Sequence, residues 1–153
     1  MFRGPLLALV LALLPGLSAR GAEAPDSRYD RVEIAPAKTS IYVGSVTMTM
    51  PPFVRKNGVY ESTYVAKVFP YFFYNEIGRL SIEVSDETLR KLAGGEIIEF
   101  KGRGVRDDGA ERRVEAKATP LDATSGKIKV RVFVSKRTEL IFNTTYRFAA
   151  EAK

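Results

Sequence analysis

The chain reads as an all-β domain with one short helix, built as a single antiparallel β-sandwich or flattened β-barrel of about eight strands. Three observations predict this. Apolar and polar residues alternate with a period of two over many short stretches, turn-forming residues separate those stretches, and a single segment carries the signature of a helix.

The clearest alternation lies in the last hairpin, residues 126–148. Ile128, Val130, Val132 and Val134 share one parity, while Lys127, Lys129, Arg131 and Phe133 share the other. A strand places these two sets on opposite faces. The following run puts Leu140, Phe142, Tyr146 and Phe148 on one side. A lone hairpin is marginal in water, so further strands must cover that apolar face.

From the start of the domain, residues 24–30 are polar and read as a loose leader, and Arg31-Val32-Glu33-Ile34 alternates as a first strand that Pro36 ends. Residues 40–50 read as one strand, with Tyr42, Val46, Met48 and Met50 on one parity, and Pro51-Pro52 stops it because neither residue can donate to a ladder. Asn57-Gly58 suits a two-residue turn that needs positive φ at both positions. Residues 60–74 follow as one long strand or two broken at Pro70, and after a turn at 75–78 comes a strand over 79–84.

The helix spans residues 85–93. Ser85 caps it, Asp86 and Glu87 place negative charge in its first turn, Val84 and Leu89 occupy staple positions, and Gly94 terminates it. Two turns are too short to persist alone, so Leu89 and Leu92 must pack on the sheet. Residues 96–105 and 112–119 form a hairpin closed by Asp107-Asp108-Gly109, residues 120–125 link it to the final pair, and Lys136-Arg137 implies a longer or type I loop.

The start of the chain has a charged Met1-Phe2-Arg3 followed by an apolar run over 5–17 that is too brief to span a bilayer as a helix. It reads as a signal peptide over 1–22, with cleavage after Ala19 or Ala22, a flexible leader over 23–30, a single β domain over 31–148 and a charged tail over 149–153. The alternative is an uncleaved apolar anchor. Absence of cysteine in an exported chain suits a bacterial envelope, hence a periplasmic or extracellular location. A chain starting at Glu23 keeps 22 basic and 18 acidic residues, a mild net charge of +4.

The 153 residues include no histidine and no cysteine, which removes Ser-His and Cys-His nucleophiles and thiolate or imidazole metal sites. The surviving chemistry needs carboxylates, and no pair is nominated: Asp107 and Asp108 sit in a turn, and Glu96 and Glu99 point to opposite faces. The expectation is therefore no enzyme, no cofactor and no metal. Lys127, Lys129 and Arg131, with Lys101 and Arg103, form a basic stripe, read as a solvated sheet face. Nucleic acid would want aromatics interleaved with that charge, and no nucleic-acid partner is expected.

The least ordinary stretch is Val68-Phe69-Pro70-Tyr71-Phe72-Phe73-Tyr74, where both parities carry aromatics. The favoured reading is burial on both sides, with the helix covering Phe69, Tyr71 and Phe73. The other is an exposed patch that binds something. Three functions follow. The leading one is a non-enzymatic exported domain that contacts an envelope partner. The second is a carrier holding an apolar ligand in a barrel, with Tyr64, Phe72 and Tyr74 among its walls. The third is a small outer-membrane barrel, disfavoured by the thin apolar band offered by Val114, Ala116, Ala118, Gly102 and Gly104.

Overall fold

The computed structural model describes residues 26–150. Among them are ten strands and one α-helix: β1 (Arg31–Ile34), β2 (Ala37–Ile41), β3 (Gly44–Thr49), β4 (Phe53–Lys56), β5 (Val59–Phe69), β6 (Glu76–Glu83), α1 (Asp86–Ala93), β7 (Ile98–Arg106), β8 (Glu111–Pro120), β9 (Ser125–Phe133) and β10 (Glu139–Ala149). The expected signal peptide over 1–22, its expected cleavage positions and residues 151–153 lie outside the described residues.

All strand pairs are antiparallel, and pairing of β5 with β6 closes an eight-stranded barrel from β1 and β4 to β10. β2 and β3 prolong β1 and β4 without changing register, since Arg31 faces Val54 and Ala37 faces Met48. Closure satisfies the ladder groups that an open sheet would leave at its edges. Asn57 (φ 52°) and Gly58 (φ 78°) form the expected turn between β4 and β5.

Inward residues follow the predicted parity in the last three strands, with Val114, Ala116 and Ala118, then Ile128 and Val132, then Phe142 and Tyr146, all buried. They form two stacked clusters. One holds Phe53, Tyr60, Ile128 and Tyr146; the other holds Val46, Met48, Tyr64, Val132 and Phe142. Helix α1 plugs the first end, with Leu89 and Leu92 buried in that cluster beside Val84. Ser85 accepts a hydrogen bond from the Thr88 N–H (3.1 Å), and Arg55 on β4 donates to Asp86 (2.7 Å) and to the Val84 carbonyl (2.6 Å).

Two tyrosines are accommodated by glycines directly across the ladder. Tyr64 faces Gly78 and Tyr146 faces Gly126. A Cβ at Gly78 would lie 2.7 Å from the Tyr64 ring and 2.3 Å from the Val105 carbonyl oxygen; at Gly126 it would lie 2.7 Å from the Tyr146 hydroxyl. Each ring lies over a bare backbone, the pairing that lets a strand bend into a small barrel.

Three expectations are corrected. Residues 40–50 are a hairpin instead of one strand: Tyr42 and Val43 make its turn, and Gly44 has a φ of 122°. A period-two pattern passes through such a turn unmarked when apolar residues occupy it. Residues 60–74 are also not one strand, since β5 ends at Phe69 and Phe72–Tyr74 form a 3-10 turn. Proline has no N–H with which to continue the ladder, so pairing stops there. Finally, the segment expected to be loose carries a 3-10 turn, Ser27–Tyr29, whose Tyr29 is buried and donates to the Ala123 carbonyl (2.9 Å).

Candidate contact site at the barrel mouth

Each strand starts or ends at one of two barrel ends, and the aromatic run lies at the end away from α1. Glu83, which leads into α1, pairs with Val59, the first residue of β5, while the aromatics follow its last residue, Phe69. At about 3.3 Å per residue, β5 separates the two by roughly 30 Å. The helix therefore does not cover the aromatics, and their expected burial is overturned.

Phe69, Phe72, Phe73 and Tyr74 each expose two thirds or more of their surface, and Tyr71 exposes 36%. Their ring contacts run within the loop, Tyr71 with Phe73 (6.0 Å), Phe72 with Phe73 (6.0 Å) and Phe73 with Tyr74 (4.6 Å). The loop is held by its own backbone. Tyr74 donates to the Tyr71 carbonyl (2.9 Å), Asn75 donates to the Phe72 carbonyl (3.0 Å), and the Asn75 side chain accepts from Val68 N–H (2.8 Å). The β2–β3 turn sits against it, because a Cβ at Gly44 would fall 1.9 Å from the Phe69 carbonyl oxygen. That turn presents Tyr42, fully exposed, and Val43, half exposed, beside the aromatic loop.

Below this lip, inside the barrel, lies a polar cluster on an apolar cavity. Tyr64 donates to Glu76 (2.5 Å), and Arg112 (3.3 Å) and Arg106 (3.6 Å) approach the other oxygen of that carboxylate. Burial, followed by the bond to Glu76, pushes the Tyr64 hydroxyl well above the usual tyrosine range. The cavity beneath measures about 80 Å³ and is walled by residues such as Val46, Met48, Leu80, Val132 and Phe142. A second cavity of about 40 Å³ lies above α1.

Of the six aromatic candidates, the structure brings Phe69, Tyr71, Phe72, Phe73 and Tyr74 together on the rim and places Tyr64 inside. Phe72 and Tyr74 are not cavity walls. Sequence reasoning missed Tyr42 and Val43, for which Gly44 was the available signal, and it missed Glu76 and Arg112. Arg112 was legible: it shares the inward parity of Val114, Ala116 and Ala118, where a charge demands a partner.

The basic stripe is interleaved with acids. Glu115 lies between Lys101 and Arg131 in adjacent strands, and Arg131 pairs with Glu139 (2.7 Å) and Glu115 (3.5 Å). Arg113 covers the Phe133 ring at 4.1 Å. This is a mixed, solvated sheet face.

No protein-family model matches the chain, and neither a curated protein nor a solved structure matches it, so the geometry of the mouth carries the functional argument by itself.

Proposed function

We propose that this chain is an exported, non-enzymatic binding module that works by contact through the aromatic lip at its barrel mouth. One observation carries the reading: four aromatics at and just past the end of β5, Phe69, Phe72, Phe73 and Tyr74, stand in solvent while the barrel's own core is complete without them. Exposed rings clustered this way have no folding role and mark contact sites. The loop is internally hydrogen-bonded, which lowers the ordering cost of capture.

The carrier reading is weakened by size. A drug-sized ligand occupies roughly 300 Å³ or more, against about 80 Å³ in the barrel. The lipid-spanning barrel is weakened by charge, since Lys101, Arg103, Glu115, Lys117 and Lys129 point outward, and each cation at a bilayer midplane costs about 2–4 kcal/mol.

The test is retention of the purified protein on native envelope material, comparing wild type with Phe72→Ser combined with Phe73→Ser. The pair should unfold within about 0.5 kcal/mol of wild type, as exposed substitutions do, and lose retention. A pair that unfolds several kcal/mol earlier, or that is retained as wild type is, overturns the reading.

A further inference from the structure

The lip has a second property that points to what it touches. Between residues 37 and 75 the chain holds a single acidic residue, Glu61, although it has 18 in all. Glu61 lies near the α1 end of β5, opposite Val54 and Ser81. Nearer the lip the outward charges on β2 and β5 are both lysines: Lys38 and Lys67 flank Thr47 in one row across three strands. Lys67 and Phe69 share the outward parity of β5 and are exposed. Two residues along a strand is about 7 Å.

We infer that the lip docks on a lipid membrane surface with anionic headgroups, the aromatic tips entering the interface and Lys38 and Lys67 resting among the phosphates. This rests on the contact reading above and names its partner. Three features favour a bilayer over a protein. The rings form a projecting tip from two adjoining turns, which a deformable interface accepts without a matching pocket. Tyrosine and phenylalanine together suit a boundary that is apolar on one side and wet on the other. The spacing of lysines behind rings matches the roughly 5–10 Å to which interfacial segments sink, with the cations left at headgroup level. Sequence alone disfavours membrane association on its thin outward apolar band and does not show the lip, because only the fold sets the 42–43 turn beside the 69–74 loop.

The experiment is co-sedimentation of the protein with protein-free vesicles, of phosphatidylcholine alone or mixed with phosphatidylglycerol, at low and high salt. Wild type is expected on the mixed vesicles, with binding that weakens as salt rises. Phe72→Ser with Phe73→Ser should lose roughly tenfold or more. Lys38→Gln with Lys67→Gln should lose about fivefold per lysine on mixed vesicles only. The chain has no tryptophan, so Phe72→Trp supplies a single reporter whose emission should shift to the blue on those vesicles. Thermal midpoints equal to wild type keep the variants informative, and Phe72→Trp reads insertion with the lip intact. Wild type left in the supernatant, binding indifferent to the lip pair, or binding indifferent to the lysine pair overturns the inference. Lip-dependent retention on native envelope that protease treatment abolishes, with none on vesicles, leaves the contact reading standing with a protein partner. Failure on both materials sinks both.

Discussion

Tyr60 and Tyr146 have similar surroundings in the core yet opposite hydrogen-bond fates. Tyr60 donates to the Tyr29 carbonyl at 2.5 Å and so ties the segment before β1 to the barrel, whereas the Tyr146 hydroxyl is buried with no partner among the described residues. An unpaired buried hydroxyl costs free energy; a paired one whose partner would be stranded stabilises. Tyr60→Phe is expected to destabilise by about 1–2 kcal/mol, and Tyr146→Phe to be neutral or mildly stabilising. Urea unfolding of both variants checks this, and a larger loss at Tyr146 than at Tyr60 contradicts it. The two rings were legible as strand tyrosines of one parity; their differing partners were not, because Tyr29 and Tyr60 meet only when the chain folds back on itself.

Helix α1 is the element that closes one barrel end, and its parts are local. Ser85 caps it, Val84 and Leu89 staple it, and Asp86 places a carboxylate at its first turn, all within a few residues. Its docking is tertiary, through Arg55 and the cluster that receives Leu89 and Leu92. Leu89→Ala should cost about 2–4 kcal/mol by removing a buried side chain and enlarging the adjoining cavity, whereas Ser85→Ala should cost about 1 kcal/mol. Thermal melts in which the cap variant loses more than the core variant would show that the plug is held by its terminus. The β5–β6 loop gives the contrasting case. Its aromatic pattern suggested a strand buried on both sides, but a backbone without the Pro70 N–H turns there, and exposure followed from that turn.

At the scale of the molecule, stability should depend on pH through the enclosed tyrosines. Burial raises the Tyr60 and Tyr64 hydroxyls well above the ordinary tyrosine range and pushes Tyr146 up to about 12. An unfolded tyrosine ionises near pH 10. Above that pH the unfolded chain releases protons that the folded chain retains, so the stabilisation is complete below about pH 10 and falls as pH rises toward the folded values. Tyr146 alone should lose on the order of 2 kcal/mol by pH 12. Chemical unfolding from pH 8 to 12, with tyrosinate absorbance followed in parallel, should show stability falling steeply above about pH 10; a flat profile to pH 12 would falsify the enclosed-hydroxyl account.

Period-two alternation, the Asn57-Gly58 turn and the capped helix are properties of neighbouring residues, so the sequence by itself determined an all-β chain, the parity of β8 to β10 and the place of α1. Closure was decided by long-range pairing of β1 with β10, which a pattern common to sandwich and barrel does not encode. The lip was likewise a tertiary product. Two turns separated by 25 or more residues meet at one end because antiparallel strands return there, and whether an aromatic faces core or solvent depends on what the closed barrel leaves beside it.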